Sequence, residues 1–390
     1  MTPAYPSIDR LRGAPPARGE VRIERGAPRL YVNGAETFPL LAWSWLLEPS
    51  AYYFKRSGIN ILHPILGLNE VWKGSGQYDW RLFERHFDSL LAVHPEAYFL
   101  PRVHLDVPQW WKDRHPAELV ETAIPAVPKN PRQYRPIRTN PEGGFPWGIP
   151  LSDVSLASDL WRSDMSGVLE AFLDFMEASP LSSRIIGYQL AAGIYGEWHY
   201  PAAEFMPDCS AAAVEKTGPA PTAEDRLHAG HGLLRDPVAE KTTISYYERL
   251  HAKVVTDAIL HFAALTKEAT SRRILVGSFQ TYLLENVWIQ EGGHLAPRPI
   301  LECPDIDFIA SPYSYQTTNR PGQPWYEHDV FDDGGNYLGR SRGIGGDGGY
   351  RVLLESLRRA GKLFFVEIDP STYLEPHPDV APDDDIVREL

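Results

Sequence analysis

Two glutamates stand where α/β proteins place catalytic side chains. Glu197 follows the short apolar segment 185–192, and Glu367 comes near the end of Leu363–Ile368. Continuous apolar segments of this length are typical of buried parallel strands. Active sites of α/β proteins gather at the carboxyl ends of such strands. Two carboxylates there can cleave a glycosidic bond, one as general acid and the other as nucleophile.

The two roles require different surroundings. Glu197 has Gly196, Trp198 and Tyr195 beside it, and we expect partial loss of water to favour the protonated form of an acid. Glu367 emerges from apolar residues and needs hydrogen bonds to stay ionised. Taken singly, Glu197 also fits an exposed loop or a helix cap, and Glu367 a structural pair with an arginine. Their joint placement after the fourth and seventh predicted strands favours the catalytic pair.

The elements that would position these side chains alternate along the chain. A hairpin is predicted over Val21–Glu24 and Arg29–Val32. Strands are predicted at Phe38–Trp45, Asn60–Gly67, Ala97–Leu105, 185–192, Arg273–Phe279, Ile306–Ala310 and Leu363–Ile368. Amphipathic helices are predicted at Glu48–Ser57, Asp79–Val93, Trp161–Met176, Ser245–Thr270 and Tyr350–Ala360.

This alternation predicts the α/β class and a parallel sheet, best matched by a (β/α)₈ TIM barrel behind a short N-terminal β-hairpin. The eighth strand is predicted to be lacking or truncated, since the 22 residues after Ile368 (390 − 368) show no strand pattern. The chain is then a fragment, or the barrel closes in another way. We expect a loose segment at 1–20, the catalytic barrel at 21–370 with long loops at 121–150, 201–241 and 316–349, and a polar tail at 371–390.

Composition narrows the class of partner. The 38 basic and 51 acidic residues give a net charge of −13, which disfavours nucleic acid and anionic membrane surfaces. Two isolated cysteines make neither a disulfide framework nor a cysteine-based zinc site. No signal peptide or membrane span is recognised, so a cytoplasmic protein is expected. A neutral oligosaccharide or glycoside is the expected substrate, with no cofactor; the oligomeric state stays open, a homo-oligomer included.

Several short motifs resemble the retaining (β/α)₈ glycoside hydrolases, and among them the family 42 β-galactosidase-like enzymes. The resemblance runs over about residues 20–370. The matching motifs are Gln77-Tyr78-Asp79-Trp80 with Phe87-Asp88, Pro108-Gln109-Trp110-Trp111 with His115-Pro116-Ala117-Glu118, and Ile186-Gly187-Tyr188-Gln189-Leu190.

The resemblance implies cleavage of a terminal β-linked sugar with retention. Glu197 would be the acid/base and Glu367 the nucleophile. Tyr313 would donate a hydrogen bond to Glu367, and Arg102 would stabilise it electrostatically. The chain departs from the family at Gly196, where the family has an asparagine that binds the sugar 2-hydroxyl. It also lacks the zinc-binding cysteine cluster of some members, and we expect their C-terminal domains to be absent.

Position alone nominates further substrate-binding residues, although core or rim packing explains each of them about equally well. They are Trp43, Trp45, His63, Arg102, His104, Trp110, Trp198, Gln280, Tyr282 and Tyr313.

Three other interpretations compete with the glycosidase. A carbohydrate-binding or degenerate barrel without activity would keep the same elements. A metal-dependent hydrolase would use His63 and His104, with Asp106 and His199 nearby, but neither His-x-His on the first strand nor His-Glu-x-x-His is present. The segment Gly343–Gly348 has the G-x-G-x-x-G spacing, yet it lies in a polar loop rather than between a strand and a helix, which argues against a dinucleotide site.

Overall fold

The fold is built around a parallel sheet whose strands follow one another in chain order. The computed structural model describes residues 5–43, 47–121, 153–193, 196–200, 207–222, 225, 238, 241–280, 294, 296–312, 328–331, 337–341 and 348–367. The predicted loop 121–150 from residue 122 onward, most of 201–241, and the segment after 367 lie outside these residues.

The N-terminal hairpin is confirmed and continues into a third strand. β1 (Gly19–Glu24) pairs antiparallel with β2 (Ala27–Val32), which pairs with β3 (Ala35–Thr37). Asn33 and Gly34 make the second turn with positive φ angles of 51° and 83°. Asparagine and glycine tolerate this left-handed conformation, so the dipeptide specifies the tight turn.

The parallel strands occupy two hydrogen-bonded groups. The first comprises β4 (Leu41–Ala42), β5 (Ile61–Leu62) and β9 (Tyr98–Phe99). The second has the order β16-β13-β12-β11-β10-β6. Its strands are β6 (Ile65–Gly67), β10 (Arg102–His104), β11 (Gly187–Ala191), β12 (Leu275–Phe279), β13 (Phe308–Pro312) and β16 (Leu363–Glu367).

Prolines divide two of the predicted strands. Pro64 separates β5 from β6, and Pro101 separates β9 from β10. Proline has no N–H to donate, so the ladder is interrupted there. Backbone bonds nevertheless continue across both breaks: Leu100 N donates to Leu62 O at 3.0 Å, and Arg102 N donates to Pro64 O at 2.9 Å. The predicted seven strands therefore exist, the fourth as β11 and the seventh as β16.

The sheet is strongly curved. β13, β12 and β11 lie between β16 and β10, so four strand spacings would place these two about 19 Å apart in a flat sheet. Instead, Arg102 Nη2 of β10 donates to Glu367 Oε1 of β16 at 2.7 Å. The side chains on this face point toward a common interior.

Alternating residues of the strands divide between two apolar clusters. The interior cluster joins the first residues of the strands to the hairpin, and its members include Leu30, Val32, Ile61, Leu100, Ile186, Leu275, Phe308 and Leu363. The other face packs against the helices through residues such as Leu66, Val103, Leu190, Val276 and Ile309. The hairpin thus covers the amino ends of the strands and leaves the carboxyl ends for a site.

Helices among the described residues are α1 (Pro6–Asp9), α2 (Leu47–Arg56), α3 (Leu68–Val71), α4 (Arg81–Val93), α5 (Gln109–Arg114), α6 (Asp159–Ala178), α7 (Ala211–Thr217), α8 (Lys241–Leu250), α9 (Thr256–Ala269), α10 (Pro297–Glu302) and α11 (Gly348–Arg359). The predicted helices are present with small shifts of their ends, as α2, α4, α6, α8 with α9, and α11. The short helices α1, α3, α5, α7 and α10 were not predicted. The predicted helix 245–270 spans α8 and α9, which a π-helical turn at His251–Val255 joins. No helix among the described residues is both long and apolar enough to span a bilayer.

Four expectations need correction. The strand Phe38–Trp45 shrinks to Leu41–Ala42, because Phe38 and Leu40 are exposed (79% and 47%) and bury nothing against the helices. Part of the loop 201–241 forms α7. Within 316–349, β14 (His328–Phe331) pairs antiparallel with β15 (Tyr337–Ser341). The described part of segment 1–20 is packed rather than loose, since Ile8 is buried.

A short hairpin was also not predicted. β7 (Trp72–Gly74) pairs antiparallel with β8 (Gln77–Tyr78), just after the short helix α3. Both strands are too short to produce a recognisable alternation in the sequence.

Candidate active site at the carboxyl ends of the strands

Glu367 is the last residue of β16 and has a cationic partner. Besides the 2.7 Å hydrogen bond from Arg102, the guanidinium carbon of Arg102 lies 4.5 Å from the ring centre of Phe279 and 5.7 Å from that of Trp43. Side chains of both partners are largely buried, 5% exposed for Arg102 and 15% for Glu367. The aromatic rings hold the guanidinium plane, so the carboxylate is fixed as well as neutralised.

Glu197 lies in a tight turn directly after β11. Gly196 N donates to Gly193 O at 3.0 Å, and Trp198 N donates to Ala192 O at 2.8 Å. Trp198 adopts a positive φ of 62° and is fully buried, with its Nε1 donating to Leu190 O at 3.1 Å. A non-glycine residue in this conformation is costly and persists only where packing enforces it. The buried indole is the anchor that fixes the glutamate beside it.

Gly196 is required by its contact with β10. Its φ is +73°, and a Cβ at this position would lie 2.6 Å from Cε1 of His104 and 2.7 Å from Cβ of Ala191. The His104 imidazole is itself buried, and its Nδ1 lies 3.3 Å from Oδ2 of Asp106. The imidazole therefore occupies the space into which a side chain at position 196 would project.

Histidines surround the backbone and side chain of Glu197. His199 Nε2 lies 3.8 Å from Glu197 Oε2. His294 Nε2 donates to the backbone oxygen of Glu197 at 2.9 Å, and its ring meets that of His199 edge-on with centres 5.0 Å apart. The side chain of Glu197 is 16% exposed. It is thus mostly enclosed, with the imidazoles of His199 and His294 nearby.

Two further titratable groups lie near the carboxyl ends of the strands. His63, between β5 and β6, hydrogen-bonds through Nδ1 to Leu100 O, and burial together with Arg102 lowers the pKa of His63 to about 3. Glu70, in α3 just after β6, has its pKa raised by burial. Glu70 was not among the predicted site residues, although it follows a predicted strand and the same carboxyl-end argument would have found it.

The predicted substrate-binding residues separate into three groups. Trp43, His63, Arg102 and His104 gather near Glu367 and Gly196. Trp110 donates through Nε1 to Trp72 O at 3.2 Å and packs edge-on against the Trp72 ring, so it has a structural role. Trp198 has no exposed surface and offers no face on which a sugar can stack. Outside the described residues lie Trp45, Tyr282 and Tyr313.

Gln280 is an unexpected case. It follows β12, is fully buried, and neither end of its carboxamide has a hydrogen-bond partner within the described residues. Gln189 in β11 similarly has an Nε2 without a partner there. Buried amide groups are normally satisfied, so these two mark places where a polar group from outside the described protein atoms fits.

The metal interpretation gains no support from the described geometry. His104 lies near enough to His63 to contribute to the lowered pKa of His63. However, His63 is engaged by Leu100 O and His104 faces Asp106. Across the described ranges, no group of three or more histidine, cysteine or acidic side chains is arranged to hold a metal ion.

Comparisons with known proteins place the fold. No family model and no curated protein matches the chain. The catalytic domain of β-amylase from Paenibacillus polymyxa is similar with a TM-score of 0.51 at 12% identity, over 89% of this chain and 94% of that domain. β-Galactosidase from the psychrophilic Marinomonas ef1 matches with a TM-score of 0.46 at 13% identity, over 85% of this chain and 48% of that one.

A third similar structure is the β-galactosidase of Halorubrum lacusprofundi, with a TM-score of 0.42 at 12% identity, over 84% of this chain and 52% of that one. The chain spans about half the length of these two β-galactosidases. At these identities the similarity to the β-amylase domain shows the fold alone. The fold that the two share is a mixed α/β architecture with a parallel sheet.

Proposed function

We propose that the protein is a glycoside hydrolase that cleaves a terminal β-linked sugar with retention. Glu367 is the nucleophile and Glu197 the acid/base. One observation carries the proposal: both glutamates stand at the carboxyl ends of strands in the same curved sheet, where Glu367 has the buried Arg102 as partner and Glu197 has the imidazole of His199 nearby. Two carboxyl groups in contrasting surroundings are what an acid and a nucleophile require.

The proposal includes a barrel formed by the curved sheet. Trp43, Arg102, Phe279 and Glu367 come from β10, β12 and β16 or directly follow β4, which are alternate positions in the strand succession. Alternate strands of a (β/α)₈ barrel contribute the side chains of one interior layer. Contact among these four residues supports closure between β16 and β4, with the hairpin beneath.

A side chain is assigned to each chemical step. The Glu367 carboxylate attacks the anomeric carbon while the Glu197 carboxyl transfers its proton to the departing glycosidic oxygen. The resulting glycosyl ester on Glu367 is then hydrolysed by a water molecule that gives its proton to Glu197, which restores both groups. Arg102 holds Glu367 in place for the attack. His63, His104 and Gln280, with Trp43 and the predicted Trp45, Tyr282 and Tyr313, are proposed to bind the sugar.

The terminal β-linked sugar is proposed from the sequence resemblance, and two similar structures are named β-galactosidases. The β-amylase domain is equally a sugar-cleaving protein by name. A β-galactoside is therefore the first substrate to test, and β-glucosides and β-mannosides follow. The cytoplasmic location remains a prediction.

A panel of chromogenic β-glycosides tests the function. We expect the wild-type chain to hydrolyse at least one of them, and Glu367→Gln to lose roughly 10⁴-fold or more in kcat, as for other residues that form a covalent intermediate. Glu355→Gln is the matched control, because this glutamate is an exposed residue of α11 that pairs with Arg358. Wild-type inactivity on the whole panel contradicts the proposal.

A sugar-binding barrel without activity is the second candidate. Gly196 favours it, since the sugar-binding asparagine expected from the resemblance cannot fit beside His104. Isothermal titration with the same glycosides separates the two candidates. Binding without turnover supports the inactive sugar-binding barrel, and turnover rules it out.

A further inference from the structure

A further carboxyl group stands at the carboxyl ends of the strands, and the proposed mechanism does not use it. Glu70 lies in the short helix α3, three residues after β6 ends at Gly67. Glu70 is exposed to solvent, whereas Leu68 and Val71 of the same helix are buried. The apolar residues thus anchor the helix, and the glutamate stays accessible.

The side chain of Glu70 turns back over the interior face of the sheet. Leu66 packs with the helices, so the next residue of the strand, Gly67, faces the interior. A Cβ on Gly67 would lie 3.2 Å from Cγ and 3.4 Å from Cδ of Glu70, and 2.6 Å from Oδ1 of Asn69. The carboxyl group therefore covers the interior end of β6, and glycine at position 67 leaves room for it.

The neighbouring interior side chain at this edge is His104 of β10. Gly67 and His104 are register partners in the parallel pair of β6 and β10. The ring of His104 in turn lies against Gly196, the residue before Glu197. β6 and β11 are the two neighbours of β10, so they lie two strand spacings, about 10 Å, apart. Glu70 and Glu197 thus stand on opposite sides of His104 along one edge of the sheet.

The carboxyl group of Glu70 is partly desolvated although the residue is exposed. Burial raises the pKa of Glu70, and His104, His86 and Lys73 oppose part of that rise. The effect of His104 agrees with its place beside Glu70 in the sheet. A carboxyl group that is accessible and yet surrounded by protein is typical of the wall of a cleft.

Hydrogen bonds at Glu70 involve its backbone rather than its carboxyl group. Lys73 Nζ donates to the backbone oxygen of Glu70 at 2.5 Å, and no described residue donates to the carboxyl oxygens. Asp106, which follows β10, differs because its Oδ2 lies 3.3 Å from Nδ1 of His104. A partly desolvated carboxylate gains from a donor, and hydroxyl groups are the donors that a neutral sugar offers.

We propose that Glu70 is a specificity-determining residue that accepts a hydrogen bond from a hydroxyl group of the sugar bound over Glu367. This inference rests on the proposed function, because it requires a sugar at the carboxyl ends of the strands. Glu70 takes no part in breaking the glycosidic bond. It selects sugars whose hydroxyl group reaches the carboxylate, since a sugar without that hydroxyl leaves a desolvated carboxylate unpaired.

Monodeoxy substrates identify the hydroxyl group. We compare kcat/KM for the best glycoside of the panel with that for analogues that each lack one hydroxyl group. For the parent glycoside, Glu70→Ala should lower kcat/KM by about 10–100-fold, as expected for a hydrogen bond to a charged group. For one analogue, Glu70→Ala and wild type should differ by less than about 3-fold, because the bond is already missing. Equal losses for the parent and every analogue overturn the proposal.

Two other variants show whether the effect is specific. Glu70→Gln keeps an uncharged oxygen acceptor, so its loss for the parent glycoside should be smaller than that of Glu70→Ala. Asp113→Asn is the matched control, because this carboxyl group is also exposed in a short helix after a strand, but accepts a hydrogen bond from Gln109 Nε2 at 2.8 Å. It should leave the discrimination between parent and analogues unchanged. A loss for Asp113→Asn as large as that for Glu70→Ala overturns the proposal.

The outcomes also separate this inference from the function on which it rests. A wild-type protein that hydrolyses no glycoside overturns the glycosidase proposal and the role of Glu70 with it. An active wild type whose Glu70→Ala variant behaves like Asp113→Asn overturns only the role of Glu70. Circular dichroism melting identifies any variant that fails to fold, and Glu70→Gln, which keeps the size of the side chain, then replaces Glu70→Ala in the comparison.

Discussion

Glu367 and Glu197 differ in the basic side chains that lie beside them among the described residues. Glu367 receives a hydrogen bond from Arg102, a group that stays charged at any working pH. Glu197 has His199 beside its carboxylate and His294 at its backbone oxygen, and His251 lies behind them. Both carboxyl groups are buried to a similar extent, 15% and 16% exposed. Burial alone therefore does not distinguish them, and the choice of neighbouring base does.

The two ends of the strands also differ: the described charged side chains inside the curved sheet lie at the carboxyl ends. At the amino ends of the strands, Leu30, Ile186 and Leu275 form an apolar floor with the hairpin. At the carboxyl ends, Arg102, His104 and Gln189 replace apolar side chains on the same face. Charges are tolerated there because each one has a partner, as Arg102 has Glu367.

Removing the acid should show the largest effect that separates the two carboxyl groups. Glu197→Gln is expected to lower kcat/KM by roughly 10²–10⁴-fold for alkyl glycosides and far less for dinitrophenyl glycosides, because only the former need a proton. Steady-state kinetics with both substrates measures this. Glu355→Gln serves as the control. If kcat/KM falls as much for the dinitrophenyl glycoside as for the alkyl glycoside, Glu197 is not the acid.

Breaking the arginine pair should destabilise the fold. Arg102→Met leaves the largely buried Glu367 carboxylate without its cation and is expected to cost about 3 kcal/mol in the free energy of unfolding. The double variant Arg102→Met/Glu367→Gln should recover most of that loss, since no uncompensated charge remains. Urea unfolding of the wild type, both single variants and the double variant measures the coupling. Additive losses would mean that the pair contributes no mutual stabilisation.

The neutral histidines should make the fold sensitive to acid. Unfolded histidines bind protons below about pH 6.5, but His251 and His63 in the fold do so only near pH 3, so their stabilising effect is complete above pH 6.5 and is lost as the pH falls. Between pH 6.5 and pH 5 we expect a loss of about 2 kcal/mol per histidine. His251→Phe should reduce this loss, because the variant has no imidazole to titrate at this position. Identical pH slopes for wild type and His251→Phe would refute this.

Of these changes, substitution of Gly196 should have the smallest effect. It is expected to lower the stability of the fold. Gly196→Ala requires a positive φ and a Cβ 2.6 Å from the His104 ring, which we expect to cost about 1–3 kcal/mol. Gly196→Asn should be no more stable, although it restores the residue of the resembled family, because the same ring blocks it. Gly76→Ala is the matched control, with positive φ and open space around the position. Equal melting temperatures for Gly196→Ala and Gly76→Ala would show that the contact with His104 does not destabilise the Gly196→Ala variant.

The sequence predicts the parts of this molecule that depend on local patterns. Apolar periodicity located the helix Arg81–Val93, whose Phe83, Phe87 and Leu90 are buried as expected. The predicted electrostatic contact of Arg102 with Glu367 is also present. The reason is that the carboxyl ends of parallel strands lie at the same edge of the sheet. The short strand Leu41–Ala42 was overestimated, since nothing in the sequence states that Phe38 faces solvent.

Contacts between distant residues could not be predicted in this way. His294 reaches Glu197, and His251 comes near His199, only through the fold, and each looks in the sequence like an ordinary core or loop histidine. The π-helical turn that presents His251 has no periodic signature. Gly196 was recognised as a departure from the resembled family, but its cause, the imidazole of His104, is visible only once β10 and β11 lie side by side.

Covalent trapping tests the central claim most directly. The wild-type protein is incubated with dinitrophenyl 2-deoxy-2-fluoro-β-glycosides, whose fluorine slows hydrolysis of a glycosyl ester, and the adduct is located by peptide mass spectrometry. The account predicts one added fluorosugar, carried by Glu367 and absent from Glu367→Gln. A sugar attached to another residue, or active enzyme that forms no adduct and releases the inverted anomer in ¹H NMR, would contradict it.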